Sequence, residues 1–212
     1  MDVRGLHDRI KTRYNLESRA QGGLGCGHNL SLLALRSGER VLDLGCGRGQ
    51  ETLEAAKLVG EGGLAVGLDL TPEMVRAAVE RAAAEGCVNV RFVVGDMERL
   101  PFLPESFDAV MSNCAINHAG DKSRVYREVH RVLKTGGRFV ISDPVTRYPL
   151  PQEIKRNPCQ WAMCFGGVVT EQEYLQCIRE AGFRRVEIIN RREYLKNGYE
   201  FASLTIRAFK EG

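Results

Sequence analysis

Apolar and polar positions follow two periods along this chain, one helical and one extended. Val3, Leu6, Ile10 and Tyr14 fall at helical spacing and predict an amphipathic first helix over residues 3–14. LSLLALRS (30–37) predicts a short second helix. VLDL (41–44) is an apolar strand interrupted only by Asp43, and QETLEAAKLV, from Gln50 to Val59, returns to the helical period. GGLAVGLDL predicts a second strand closed by Asp69. A helix follows it, with Thr71 as N-cap, Pro72 at the first helical position and Gly86 as its stop. VNVRFVV supplies a third strand ending in Gly95, Asp96 and Met97, and a fourth strand runs straight into Asn113 and Cys114. DKSRVYREVHRVLKTGG predicts a helix ended by Gly136 and Gly137, and RFVISD a fifth strand. TEQEYLQCIREAGF, capped by Thr170, is the last helix. VEIIN and EFASLTIRAF are the last two strands, closing as a hairpin.

Strand and helix in alternation, then a terminal β-pair, predict one α/β domain over 1–212. Its core is a doubly wound, seven-stranded Rossmann-like sheet with a terminal antiparallel β-hairpin. Residues 1–38 read as a helical and glycine-rich lid segment. Residues 144–169, PVTRYPLPQEIKRNPCQWAMCFGGVV, break the pattern: they hold four of the seven prolines and the only tryptophan. Long stretches without simple periodicity are usually functional, and this one is expected to be a substrate loop. No internal repeat or low-complexity tract divides the chain.

Gly45, Gly47 and Gly49 follow the first strand at once, where backbone approaches a ligand without side chains in the way. A dinucleotide site wants G-x-G-x-x-G, but the residue three after Gly47 is Gln50. The pattern G-x-G-x-G, with Asp43 two residues before it, suits a nucleotide-like cofactor that has no pyrophosphate and carries an ammonium group. Asp69 ends the second strand about 20 residues beyond the glycines, where folds of this topology bind a ribose diol. Asp96 ends the third, where an acid faces the base end of the cofactor, or else serves only its own turn.

The net charge of +3, from 30 basic and 27 acidic residues, contains no basic block, so no nucleic-acid partner is expected. No apolar run approaches the roughly 18 residues of a membrane span, and the charged start does not resemble a secretory signal. A cytoplasmic protein is expected. Seven cysteines, at 26, 46, 87, 114, 159, 164 and 177, form no C-x-x-C, and their odd number argues against a disulfide framework. Cys46, Cys87, Cys159 and Cys177 have ordinary structural explanations.

The other three cysteines are placed to meet. Cys114 ends the fourth strand beside the glycine-loop strand, Cys26 lies between two glycines before the first strand, and Cys164 lies in the loop after the fifth. Ligands of open α/β sheets bind beyond the carboxyl ends of the strands, and both flanking segments can fold over that edge. Three thiolates suit a soft ion. If the cofactor is a methyl donor, the acceptor also needs a lone pair, which trivalent arsenic keeps when bound by three sulfurs and which zinc or cadmium lacks.

VLDLGCGRG resembles motif I of the class I S-adenosylmethionine (SAM) methyltransferases. SNCAINHAGDK resembles the fourth-strand signature of the arsenite methyltransferases, LGCG their N-terminal cysteine segment, and LPQEIKRNPCQWAMCFGG their cysteine loop after strand five. The resemblance runs from about Tyr14 to Phe209. It implies a class I methyltransferase sheet and arsenic detoxification by methyl transfer from SAM to As(III) on Cys26, Cys114 and Cys164. The substrate would be arsenite or its thiol conjugates, with an external thiol as reductant. It implies that Asp43, Gly45, Gly47 and Gly49 hold the methionine part of SAM, Asp69, Leu70 and Met74 its ribose and adenine, and Asp96 and Met97 its adenine. Cys46 and Asn113 complete the cofactor wall.

Two departures stand out. The upstream cysteine that many members use in reduction is missing from the 25 residues before Cys26, and Ala115 and His118 replace apolar residues. His118 is expected to be a solvated helix-entry residue rather than a donor to a neighbouring ligand. The rival readings are a methyltransferase for a small organic acceptor such as a quinone, and a non-catalytic thiol sensor.

Overall fold

In the computed structural model, which describes residues 3–17 and 29–212, the sheet grows outward from β1 (Arg40–Leu44). Val41, Leu42, Asp43 and Leu44 are all buried, as expected of a strand covered on both faces. Val41 packs with α2 (Asn29–Leu33), α3 (Gln50–Val59) and α4 (Pro72–Ala84). Leu42 and Leu44 pack in the opposite layer with α5 (Lys122–Val132) and α8 (Glu171–Glu180). The remaining strands are β2 (Leu64–Asp69), β3 (Val90–Val94), β4 (Phe107–Asn113), β5 (Leu133–Thr146), β6 (Arg185–Lys196) and β7 (Tyr199–Phe209). Their order across the seven-stranded sheet is β3-β2-β1-β4-β5-β7-β6. β1 to β5 run parallel, while β7 is antiparallel to both β5 and β6. The switch in strand order falls between β1 and β4, so the crevice opens where Gly45 and Cys114 leave their strands.

Thr170 caps α8 as predicted, and the structure adds a capping box: Thr170 Oγ1 accepts from the Glu173 N–H at 3.2 Å, and Glu173 accepts from the Thr170 N–H at 2.9 Å. Thr71 occupies the N-cap of α4, yet its side chain makes no cap bond; the Asp69 carboxylate takes the Thr71 N–H instead. The helix expected to run to Gly136–Gly137 stops at Val132. Leu133 is already extended at ψ 138 and begins β5, and the two glycines fall in an irregularity of that strand. Gly136 N–H there donates to Lys210 O at 2.8 Å. A glycine pair reads the same in sequence whether it stops a helix or bends a strand.

The 144–169 stretch is not a bare loop. Pro144 to Thr146 continue β5 against β7, and two short helices follow, α6 (Gln152–Lys155) and α7 (Pro158–Ala162). The N-terminal segment supplies α1 (Val3–Glu17), which packs on α7. Among the described residues, no helix is long and apolar enough to cross a membrane.

Candidate active site

The loop after β1 hangs from β2, where Leu68 O accepts the N–H groups of Gly45 (2.8 Å) and Cys46 (3.1 Å). Gly45 (φ +72) abuts Ala115, so a side chain there would collide. A Cβ on Gly47 (φ +53) would meet nothing within 4 Å, which leaves this stretch of backbone open to a ligand. Asp69 ties the loop to β2: one carboxylate oxygen accepts from Gly47 N–H and the other from Thr71 N–H, each at 2.9 Å.

Asp43 is buried, and burial pushes its carboxyl up to about 7. Repulsion from Glu51 and Asp69 adds to this, and the 2.6 Å hydrogen bond donated by Thr52 Oγ1 opposes it. Asp69 is also raised by burial, against the pull of its backbone donors. Two carboxylates whose ionisation the protein does not neutralise fit a ligand bringing an ammonium group and hydroxyl donors. The Cys46 thiol, likewise pushed up by burial, packs against Gly67 of β2.

A single cavity of about 640 Å³ runs along this edge of the sheet. Asp43, Gly45, Cys46, Gly47, Asp69, Leu70, Asp96, Met97 and Asn113 line it, as do Cys114 and Cys164. Gly49 and Met74 do not. Gly49 caps α3 in a left-handed turn tight against Phe92 and Ala78, and Met74 is fully buried in the core. Asp96 serves its own turn, accepting from Glu98 N–H at 2.8 Å, while its other oxygen lies 3.9 Å from His7 Nε2 of α1.

The far end of the cavity is made of sulfur. Cys114 follows β4 with its N–H on Ser142 O at 2.8 Å, and Cys164 follows α7 with its N–H on Trp161 O at 3.0 Å. Both cysteines hold φ +55, a left-handed backbone uncommon outside glycine and clustered at functional sites when it occurs. Cys164 Sγ lies 3.5 Å from the Cys114 carbonyl oxygen, 2.6 Å from His118 Nε2 and 3.8 Å from the Tyr14 hydroxyl. His118 is therefore buried among ligand candidates and is not the solvated helix-entry residue expected. Desolvation lowers it to about 4, helped by the charges of Arg13 and Lys122 and opposed by the Trp161 backbone. Burial pushes the Cys164 thiol up to about 11, against the Tyr14 hydrogen bond. Before substrate arrives, this corner holds a neutral thiol and a neutral imidazole. Cys26 lies outside the described residues. Among those described, no group of three histidine, cysteine or acidic side chains is arranged to hold a metal ion.

The methyltransferase-domain family matches residues 35–182. The solved arsenic(III) SAM methyltransferase from Chlamydomonas reinhardtii is similar over 99% of this chain and 73% of that one, at 32% identity and a TM-score of 0.81. This chain belongs to the arsenite methyltransferase family. The arsenite methyltransferase of Halobacterium salinarum is 42% identical over 78% of this chain and 42% of that protein. The one from Mus musculus is 30% identical over 98% and 57%. The chain spans about half the length of these curated relatives. As in class I methyltransferases generally, the cofactor is SAM, and the acids of this cavity, Asp43 and Asp69, are acceptors of the kind its ammonium and hydroxyl groups require.

Several residues of the cavity wall were not assigned to it from sequence, among them Tyr14, Glu51, Thr71 and His118. Tyr14 was visible only as the last position of an amphipathic stripe. Glu51 accepts from Asn113 Nδ2 at 3.0 Å, a contact that no spacing rule announces.

Proposed function

We propose that this protein transfers a methyl group from SAM to trivalent arsenic, with Cys114, Cys164 and Cys26 as its sulfur ligands. The observation that carries the reading is that one cavity joins the two acids at the glycine loop to both described cysteines, each set on a left-handed turn. SAM supplies a methyl group on a sulfonium. Asp43, Asp69 and the open backbone at Gly47 orient it, with Asp96 and Met97 at the adenine end. The methyl group would pass to the arsenic lone pair, with the C–S electron pair staying on S-adenosylhomocysteine as leaving group, so the chain's own part is alignment and exclusion of water. Because Cys164 begins as a thiol, arsenic binding itself displaces the proton.

Arsenite and its thiol conjugates are the proposed substrates, with an external thiol as reductant and neither nucleic acid nor membrane as partner. A cytoplasmic setting is proposed with them. The test is incubation with SAM, arsenite and excess small thiol, followed by chromatography with mass detection of methylated arsenic. Cys114→Ser and Cys164→Ser are each expected to lose at least about 100-fold in turnover, with SAM affinity by calorimetry retained. No product from the unaltered protein, with SAM bound, would redirect the search to organic acceptors.

A further inference from the structure

Two cations line the cavity at its Cys164 end, and arsenite itself has no use for either, since arsenous acid is uncharged at neutral pH. Arg13 comes from α1, with its guanidinium 5.1 Å from the ring of Tyr14, whose hydroxyl reaches Cys164. Lys196 comes from the tip of the β6–β7 hairpin, with its ammonium 5.7 Å from the ring of Phe165, the residue after Cys164. Both side chains line the cavity, and both act electrostatically on the Cys164 sulfur. Among the described residues Lys196 makes no ion pair. Asp143, an acid that also acts on that sulfur, is buried and accepts a hydrogen bond from the Tyr174 hydroxyl at 2.7 Å.

We propose that Arg13 and Lys196 form an anion subsite beside Cys164 that binds the carboxylate of a small thiol carrying the arsenic. This rests on the arsenic-methylating reading and adds to it which carriers the site selects. In the delivery step Cys164 exchanges with one carrier thiol on arsenic. The Cys164 S–As bond forms, one carrier S–As bond breaks, and the Cys164 proton leaves on the departing thiol. A carrier still attached to arsenic then sits with its carboxylate between the two cations.

The test compares arsenite pre-equilibrated with excess mercaptoacetate, 2-mercaptoethanol or cysteamine, three carriers of similar reach that are anionic, neutral and cationic. KM for the mercaptoacetate complex is expected to be roughly five- to tenfold below that for the neutral one, with cysteamine weakest. The anionic-to-neutral ratio is expected to collapse toward one in the Arg13→Gln/Lys196→Gln double variant. Equal KM values across carriers, or a ratio the double variant preserves, would overturn the subsite. A general weakening of all three carriers by the same factor would assign the cations to thiolate stabilisation instead and would also overturn it. The same ordering is read without SAM, from Trp161 emission during titration with each complex. A protein that binds the complexes in this order but makes no methylated product would retain the subsite and lose the catalytic reading.

Discussion

His118 Nε2 lies 2.6 Å from the Cys164 sulfur, and the Tyr14 hydroxyl stands 2.9 Å from the same nitrogen. An N-terminal helix, the turn after β4 and the α7 loop therefore meet at one imidazole. His118→Leu removes this meeting point and takes from the Tyr14 hydroxyl its 2.9 Å contact with the imidazole. A fall of roughly fivefold in kcat/KM for arsenite is expected, the scale of one buried hydrogen bond. His118→Gln, which keeps a polar atom in place, should recover part of it. Steady-state kinetics on both variants decide this; a leucine variant with unaltered kinetics would reduce His118 to packing.

Asp43 sets a pH dependence of stability. In the unfolded chain its carboxyl loses the proton near pH 3.8, and in the folded chain near 7, because burial disfavours the charge. Between those values the folded state holds a proton that the unfolded state has given up. Stability therefore falls as pH rises through the window and levels off above it, by an amount on the order of 4 kcal/mol. Asp43→Asn escapes this loss. Its Tm advantage over the unaltered protein, measured without SAM, should grow from pH 4 to pH 7 and then stay constant.

Asp69→Ala strips the acceptor from the Gly47 and Thr71 N–H groups together. Leaving such donors unmet costs about 1–3 kcal/mol each when buried. The expected result is a SAM Kd raised by at least about tenfold in calorimetry, with a lower Tm. Trp161 emission should still report arsenical binding at the sulfur end.

Gly167 offers a test of the loop that carries Cys164. A methyl group there would collide with Asn117 O and come within 2.7 Å of the Trp161 ring. Trp161 is itself fixed by its indole N–H on Lys155 O at 2.6 Å and by the Lys122 ammonium 5.5 Å from its ring. Gly167→Ala is expected to cost about 1–3 kcal/mol in denaturant unfolding. It should raise KM for arsenite far more than that for SAM. Equal effects on both would mean that the loop does not position Cys164.

The acid and glycine lining of the cavity was legible because its signals are local. Glycines after a strand and acids at strand ends keep their meaning wherever the rest of the chain goes, and Asp43, Gly47, Asp69 and Asp96 line the cavity. Cys114 was legible for the same reason. The sulfur end was not, because its geometry is assembled from α1, β4 and α7 at once. His118 looked like a polar residue entering a helix, and only the arrival of Trp161 and Tyr14 buries it. Met74 lies in the core and not on the cavity wall, because a helix facing this strand has more core positions than open ones. Gly136 and Gly137 misled because their alternative partner, Lys210, lies more than 70 residues away in sequence.

Cys114 and Cys164 share a backbone conformation that glycine takes up without strain. The backbone at these two turns thus makes no demand for a cysteine, and the sulfurs are held by what surrounds them. Exchange of either thiol for glycine would meet no resistance from the backbone at these turns, whatever the neighbouring side chains lost. What would persist is a stable donor-binding shell around a vacated chamber, ready to be refitted for another acceptor. In this architecture chemistry is the expendable layer, and the cradle beneath it the durable one.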